Sequence, residues 1–393
     1  MNNSILHPEV QKYIEEHLNS DISKILFKGT SFPNVTTQEI VEQIVAKKKC
    51  KEKLPSWFST KNIYYPNKLN IEQTSSEITA KYKANLVSGN SIIDLTGGFG
   101  VDSYSFSKKF SKVIHCEIDK NLSAITNHNF EVMKTSNIKT IADNGIEYLS
   151  KIDEQFDCIY IDPSRRNDTK EKVFLLKDCF PNVPENIDFL FKKSNTILIK
   201  NSPILDITNA INELKYVKEI HIVAIHNEVK ELLYLLEVNY NNPIQIKTIN
   251  IQKNENQLFD FKLDTKQSST FSLIKKYVYE PNASIMKSGG FNEVSAQLKI
   301  DKLHQNSHLY TSEELINFPG RRFEVSHTIP FDKKQLKKLI PGGKANITTR
   351  NFPQTVAQIR KKVKLKDGGD NYLFFSTDIN NKHIVIVCKK IIS

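Results

Sequence analysis

The feature that most constrains the fold is a short hydrophobic strand that ends in an acid and runs directly into a glycine-rich turn. The strand is residues 91–95 (SIIDL), and the turn with the start of the next helix is residues 96–102 (TGGFGVD). Its glycines allow a sharp turn and a close backbone approach to a ligand. A dinucleotide loop would read G-x-G-x-x-G and hold a pyrophosphate. An acid followed by G-G-x-G is suited instead to a cationic ligand without phosphates.

Three further predicted strands also end in acids, as expected of a doubly wound sheet that binds a nucleotide-type cofactor. Glu117 is placed to hold ribose hydroxyls, Asp143 suits an adenine amino group, and Asp162 begins a D-P turn after the fourth strand. Together with the loop, which would face the methionine end, these acids predict S-adenosylmethionine binding. The predicted cofactor-binding residues are Asp94, Thr96, Gly97, Gly98, Gly100, Glu117, Asp143 and Asp162.

On these motifs the chain resembles the class I S-adenosylmethionine-dependent methyltransferases. More narrowly, it resembles the bacterial family that carries C-terminal ferredoxin-like and THUMP-like domains. The resemblance rests on residues 75–83 (SSEITAKYK), 94–102 (DLTGGFGVD), 162–166 (DPSRR), 200–203 (KNSP), 279–287 (YEPNASIMK) and 367–370 (DGGD). It implies an α/β fold: a Rossmann-like class I methyltransferase sheet with an N-terminal helical region and C-terminal α+β domains. It implies an RNA substrate only through the THUMP-like domain.

The pattern of hydrophobic residues and turn residues divides the chain into five parts. Predicted strands at residues 219–225 and 232–238 are joined too tightly for a helix, which predicts an antiparallel hairpin. The predicted parts are an N-terminal helical region (1–75), a methyltransferase domain (76–240), a linker region of strands and loop (241–276), a ferredoxin-like module (277–319) and a basic THUMP-like domain (320–393).

The net charge of the chain, +11, is concentrated in one segment. Residues 321–366 hold thirteen Lys and Arg against two acids, so this segment accounts for the whole excess. One basic module beside a near-neutral catalytic sheet predicts a grip on a polyanion, here structured RNA such as tRNA or rRNA. We expect Lys344, Arg350 and Arg360 to contact that substrate. The competing interpretation is a solvated lysine surface that aids solubility.

The identity of the methyl acceptor stays open at the level of sequence. The residues expected to carry the chemistry are Asp162, Pro163, Ser164, Arg165 and Lys200. Methylases of exocyclic base nitrogens usually have an acid or Asn, two prolines and an aromatic after the fourth strand, and the aromatic stacks on a flipped base. Here serine and arginine replace the second proline and the aromatic. Carbon-5 methylation needs a nucleophilic cysteine, and none lies between Cys179 and Cys388.

A ribose 2′-hydroxyl is the other candidate acceptor. Enzymes of that class use a Lys-Asp-Lys-Glu set, in which a lysine removes the hydroxyl proton. Lys83, Asp162, Lys200 and Glu228 occupy the expected places along the sequence. Arg166 is expected either to bind substrate phosphate or to fix the loop through an acid.

The remaining features narrow the class of protein. The N-terminus lacks the regions of a signal peptide and no apolar run is long enough to cross a membrane, so we expect a cytoplasmic protein without a membrane partner. The five cysteines are widely spaced and support neither a disulfide framework nor a metal site. Two other functions remain open: methylation of a small molecule or protein, and non-catalytic binding of cofactor or RNA. The oligomeric state is not indicated.

Overall fold

The computed structural model describes residues 1–165, 175–265 and 267–391. The chain forms two compact units. The first comprises Met1–Lys218 and Leu233–Asn241, and the second comprises Glu219–Leu232 and Asn242–Ser393.

The first unit begins with short helices that carry strong start signals. Pro occupies the first turn of two of them, where its missing N–H costs nothing, and Thr36 with Glu39 forms a capping box on the longest. After a 3₁₀ turn at Asn3–Leu6, the helices are α1 (Pro8–Glu16), α2 (Ile22–Lys28), α3 (Thr37–Lys53), α4 (Pro55–Ser59), α5 (Lys68–Gln73) and α6 (Glu77–Ala84). The buried ring of Trp57 in α4 lies 4.6 Å from that of Phe99, so α4 packs directly against the glycine loop.

A parallel sheet follows, built from hydrophobic runs that are buried on both faces. Its strands are β1 (Ser91–Asp94), β2 (Lys112–Cys116), β3 (Ile138–Ile141), β4 (Cys158–Ile161) and, after the short ribbon strands β5 (Ser164–Arg165) and β6 (Cys179–Phe180), β7 (Thr196–Asn201). The order β3-β2-β1-β4-β7 reverses direction between β1 and β4. Ligands of such sheets bind beyond the carboxyl ends of the strands at this switch point, where Asp94 and Asp162 lie.

The connecting helices of this sheet begin at polar caps. Asp119 and Asn144 each accept backbone hydrogen bonds at the start of a helix. The helices are α7 (Val101–Phe106), α8 (Lys120–Val132), α9 (Gly145–Lys151), α10 (Val183–Lys193) and α11 (Ile207–Glu213). The Rossmann-like α/β sheet with a helical N-terminal region is therefore confirmed.

The second unit contains most of β8 (Val217–Ile225) and the start of β9 (Glu228–Glu237). His226 and Asn227 join them, and their positive φ angles of 49° and 65° are those of a tight hairpin turn. The segment interpreted as a linker adds β10 (Gln245–Ile251), which pairs with β8 in parallel, and β11 (Gln257–Lys262), which pairs with β10. It therefore contributes strands to a sheet.

The rest of the second unit is one seven-stranded sheet with helices. Its strands are β12 (Tyr277–Pro281), β13 (Asp301–Lys302), β14 (Tyr310–Ser312), β15 (Gly320–Pro330), β16 (Asn346–Arg350), β17 (Asn371–Thr377) and β18 (His383–Lys390), in the order β13-β14-β12-β15-β18-β17-β16. Its helices are α12 (Ala283–Ser288), α13 (Phe291–Leu298), α14 (Lys333–Leu339) and α15 (Val356–Val363). Because β12 pairs with β15, the predicted boundary at residues 319 and 320 falls inside a continuous sheet.

Candidate cofactor and acceptor site

The glycine loop after β1 is closely packed on one side and open at one position. A Cβ on Gly97 would lie 2.0 Å from the His115 ring, and a Cβ on Gly100 would lie 2.5 Å from Phe130. Gly100 also has a φ of 81° where it caps α7, a conformation that glycine adopts at little cost. A Cβ on Gly98, by contrast, would meet nothing nearer than the Thr96 carbonyl oxygen at 4.0 Å. Gly98 therefore leaves space for a ligand.

Glu117 lies at the end of β2 with its carboxylate fixed beside that open position. Its Oε2 accepts a 2.8 Å hydrogen bond from the Gly98 N–H, and its Oε1 accepts one of 2.8 Å from the Asp119 N–H. Each carboxylate oxygen has a second lone pair, so the group can still accept from ligand hydroxyls. Burial raises the pKa of Glu117 above its ordinary value. The carboxylate is thus rigid and oriented, which suits recognition of a vicinal diol.

Asp94, at the end of β1, is only 1% exposed. Its carboxylate accepts hydrogen bonds from the Thr96 N–H at 3.0 Å and from the Ser103 hydroxyl at 2.7 Å. Burial raises its pKa to about 7, assisted by the negative charges of Asp102 and Asp162. Asp94 therefore fixes the conformation of the loop. A cation bound nearby would favour the ionised form of its carboxyl group.

Asp143 differs from the other two acids because it lies near the surface. It forms a 3.1 Å ion pair with Lys151 and accepts a 2.8 Å hydrogen bond from the Asn144 N–H. The hydrogen bond from Lys151 lowers the pKa of Asp143. The carboxylate is thus ionised and anchored at the end of β3, where the sequence placed an acceptor for an adenine amine.

Asp162 and Lys200 form the accessible charged pair at the ends of β4 and β7. Their side chains are in direct contact as an ion pair. The Asp162 N–H donates to the Thr96 hydroxyl at 2.7 Å, which connects the glycine loop to the turn after β4. Pro163 is buried, whereas Ser164 is exposed in the β5–β6 ribbon. Loop, turn and charged pair thus meet at one edge of the sheet.

Lys83 was expected near the substrate, but the structure places it in the interior of the first unit. Its side chain is completely buried, and its Nζ lies 3.2 Å from Asp102 and 3.0 Å from the Ser75 hydroxyl. Tyr160 also donates to Asp102, at 2.8 Å. Burial opposes ionisation of Asp102, but the charges of Lys83 and Lys200 outweigh it and lower the pKa of Asp102. These contacts make Lys83 a buried counter-ion behind the site.

The remaining predicted substrate residues that the structure describes lie in the second unit. Glu228 is exposed and pairs with Lys230 at 2.7 Å. Arg350 donates to Glu280 at 2.9 Å, and Arg321 donates to the other oxygen of the same buried carboxylate at 2.6 Å. The two contacts with Glu280 stabilise the sheet, and they use some of the hydrogen-bond donors of each guanidinium.

The other basic positions divide into anchored and exposed residues. Arg360 is held by Asp367 and by the carbonyl oxygens of Leu365 and Ala345, whereas Lys344 is exposed. Arg166 lies outside the described residues, and the structure gives only the backbone of Arg165, in β5.

Two exposed apolar side chains at this edge were not identified from the sequence. Ile118, directly after Glu117, is 59% exposed, and Phe180 in β6 is 41% exposed. The position of Ile118 beside an expected ribose acid was a usable signal. Phe180 carried none, because its proximity to the turn after β4 depends on the pairing of two very short strands.

Within the described residues, no group of three or more His, Cys, Asp or Glu side chains could hold a metal ion. Over the same residues, no helix is long and apolar enough to cross a membrane. The five cysteines are all free and buried.

Comparison with known proteins identifies the family. One family profile, described as "THUMP domain-like", matches residues 320–390, and another, described as a "ferredoxin-like domain", matches residues 277–319. A crystal structure described as a "putative methyltransferase from Porphyromonas gingivalis W83" superimposes with a TM-score of 0.89. It is 31% identical, and the alignment covers 99% of this chain and 98% of that chain. The chain belongs to this methyltransferase family. The similarity covers the sheet with its glycine loop as well as the C-terminal modules.

More distant structures align with less than half of this chain. They include M. capricolum TrmK in complex with S-adenosyl-homocysteine (TM-score 0.32, 15% identity, 42% of this chain and 70% of that chain). Another is an rRNA methylase from Streptococcus thermophilus (TM-score 0.30, 15% identity, 42% of this chain and 98% of that chain). No curated protein matches the chain.

Proposed function

We propose that this protein is a cytoplasmic S-adenosylmethionine-dependent methyltransferase that modifies structured RNA, a tRNA or an rRNA. The observation that carries the cofactor assignment is the Glu117 carboxylate, hydrogen-bonded to the N–H of the open Gly98 at the switch point of a parallel sheet. This arrangement fits a ribose with two free hydroxyls, because a carboxylate accepts from both.

The other cofactor contacts follow from the positions of the strand ends. Asp143 would accept from the adenine amine, and the exposed Ile118 would pack against the ring. The loop of residues 94–100 would face the methionine end, where the buried Asp94 responds to the positive charge. No phosphate recognition is required, and no lysine or arginine occurs between residues 94 and 107.

Methyl transfer depends mainly on alignment of the acceptor atom with the methyl group and needs little covalent catalysis by the protein. When bound, S-adenosylmethionine supplies a methyl group on a sulfonium, which is a good leaving group. The protein must hold the acceptor atom in line with that carbon and accept a proton. We assign this role to Asp162, and the assignment is supported by the ion pair of its carboxylate with Lys200 and by the hydrogen bond from its N–H to Thr96.

Both a base nitrogen and a ribose hydroxyl remain candidates on this scheme. The ribose route relies on Lys200 as the general base, since Lys83 is committed to Asp102 in the interior. Lys200→Met should then lower the single-turnover rate by roughly 10²–10⁴ with little change in cofactor affinity. If Lys200 instead binds a substrate phosphate, the same variant should lose RNA affinity.

The RNA assignment rests on the THUMP-like module and on the exposed lysines of α14 and α15. The experiment uses the full-length protein, tritiated S-adenosylmethionine and total RNA from cells that lack the gene. We expect transfer of label to RNA, and mass spectrometry of the nucleosides then identifies the product. Transfer of label to protein or small molecules but not to RNA would contradict the proposal.

A further inference from the structure

The turn after β4 lacks an aromatic residue in its own sequence, yet an aromatic side chain lies beside it. Ser164 and Arg165 follow Pro163 where base-nitrogen methylases usually have proline and an aromatic. In the structure, β5 and β6 pair antiparallel, and Ser164 is directly opposite Phe180. Directly opposed residues of an antiparallel pair have Cβ atoms roughly 4.5–5.5 Å apart. Phe180 therefore borders the turn that begins at Asp162.

The ring of Phe180 and the side chain of Ser164 share the exposed face of the ribbon. Opposed residues point to the same side of a sheet, and both of these are exposed. Cys179, the neighbour of Phe180, is buried, as the alternation of a strand requires. Exposure also alternates along the turn, from partly exposed Asp162 through buried Pro163 to exposed Ser164. Phe180 therefore lies on the exposed side of the ribbon beside Ser164, which follows Asp162 by two residues.

The strand that presents Phe180 is anchored on both sides. Before it, the Leu176 N–H donates to the Glu213 carboxylate at 2.7 Å, and the Leu176 side chain is completely buried. After it, Asn182 caps α10 through a 3.2 Å hydrogen bond from the Glu185 N–H. The Phe180 side chain is 41% exposed. Because its strand is fixed, little conformational entropy should be lost when a bound ligand holds the ring in place.

We propose that Phe180 is the surface on which the acceptor stacks, and that the acceptor is a planar nucleobase methylated at a nitrogen atom. The inference rests on the proposed function and extends it to the substrate class. The nitrogen lone pair attacks the methyl carbon, the carbon–sulfur bond breaks, and its electron pair stays on sulfur. The proton lost from the nitrogen passes to the Asp162 carboxylate or to solvent.

A nucleobase explains this geometry better than a ribose hydroxyl does. Bases removed from a helix are held by stacking on aromatic or apolar side chains, whereas a hydroxyl needs only a base and an orienting group. The Lys-Asp-Lys-Glu set that would activate a ribose hydroxyl is also incomplete at this site, because Lys83 is buried against Asp102. The apolar ring stands beside the turn that would receive the acceptor.

The test compares three substitutions of one residue with a matched control. Phe180→Ala removes the ring, and Phe180→Tyr and Phe180→Trp retain an aromatic face. Phe27→Ala is the control, because Phe27 is 97% exposed in α2 and has no part in the proposed site. With full-length protein and total RNA from cells lacking the gene, Phe180→Ala should raise KM or lower kcat/KM by roughly 5- to 150-fold. The two aromatic variants and the control should stay within about threefold of wild type.

A fluorescence measurement gives a readout that does not depend on turnover. The chain has a single tryptophan, Trp57, which is completely buried. Phe180→Trp adds an exposed indole, whose emission should be quenched when the same RNA binds because the base stacks on it. Phe27→Trp should show no such change. Calorimetry with S-adenosylmethionine should give the wild-type affinity for every variant.

The outcomes separate this inference from the function on which it rests. The inference alone is overturned if wild type methylates RNA and Phe180→Ala remains within twofold of it, if Phe180→Tyr loses as much as Phe180→Ala, or if the product is a ribose 2′-O-methyl nucleoside. A wild-type protein that binds the cofactor but methylates no RNA contradicts the proposed function itself. Melting temperatures of the variants show whether any loss reflects folding.

Discussion

At the scale of single residues, the buried carboxyl of Asp94 should make stability depend on pH. Its pKa is about 7 in the folded chain against an ordinary 3.8. Between these values the folded state binds more protons than the unfolded state, so the free energy of unfolding falls as pH rises and levels off above about pH 7. The slope is roughly 1.4 kcal/mol per pH unit between pH 5 and pH 7.

Asp94→Asn should remove this component. The stability of wild type relative to Asp94→Asn should fall by about 2–3 kcal/mol between pH 5 and pH 7, as measured by urea unfolding. The comparison with the variant cancels the titration of all other groups that the substitution does not affect. A difference between the two proteins that is constant over this range would show that Asp94 is already ionised at pH 5.

Glu117 should determine cofactor affinity. Glu117→Ala removes the acceptor for the proposed ribose hydroxyls, and hydrogen bonds to charged groups contribute about 1.5–3 kcal/mol each. We expect S-adenosylmethionine to bind at least roughly tenfold more weakly by calorimetry. Glu131→Ala, which removes an exposed carboxylate from α8, is the control. Equal affinity of Glu117→Ala and wild type would mean that the cofactor lies elsewhere.

At the scale of the glycine loop, two substitutions should separate stability from binding. Gly100→Ala forces a Cβ to 2.5 Å from Phe130 at a φ of 81°, so we expect a loss of roughly 2–4 kcal/mol in the free energy of unfolding. Gly98→Ala has open space around its Cβ and adds only the strain of its φ of 54°, about 1–2 kcal/mol.

The larger effect of Gly98→Ala should appear in cofactor affinity, because the new methyl group occupies the space beside Glu117. Urea unfolding and calorimetry on both variants measure the two quantities independently. If Gly98→Ala bound S-adenosylmethionine like wild type, the open position would not face the ligand.

The sequence predicted the elements that are marked by a contiguous run of residues. It missed those that depend on contacts between residues separated along the chain. The strands that end at Asp94, Glu117 and Asp162 were predicted because a hydrophobic run followed by an acid is contiguous. The β5–β6 ribbon was not, since a strand of two residues has no periodicity and Phe180 lies far along the chain from Ser164. Lys83 was placed near substrate for the same reason, because its buried partner, Asp102, cannot be found by spacing.

At the scale of the whole molecule, the sequence predicted where the positive charge is concentrated. It did not predict which basic residues form ion pairs with a buried acid and which remain exposed. Arg321 and Arg350 share the buried Glu280 and belong to the framework of the second unit. The lysines of α14 and α15 remain at the surface. Removal of the chain from Gly320 would take β15 away from β12 and expose Val278, Leu303 and Leu309, which share a buried cluster with Phe323. Substitutions of the exposed lysines therefore test RNA binding better than truncation does.

The α14 variant replaces Lys333, Lys334, Lys337 and Lys338 with Gln, and these four lysines are exposed on one short helix. If they contact RNA phosphates, affinity should fall, and the slope of log affinity against log salt should decrease by roughly 0.7–0.9 per lost contact. Lys24, Lys28, Lys48 and Lys51 are also exposed and provide a control of equal charge in the N-terminal helices. Filter binding across a salt titration should separate the two quadruple variants, with cofactor affinity unchanged in both. Equal loss in the two variants would indicate that only net charge matters, which would leave the basic module without a specific role in RNA recognition.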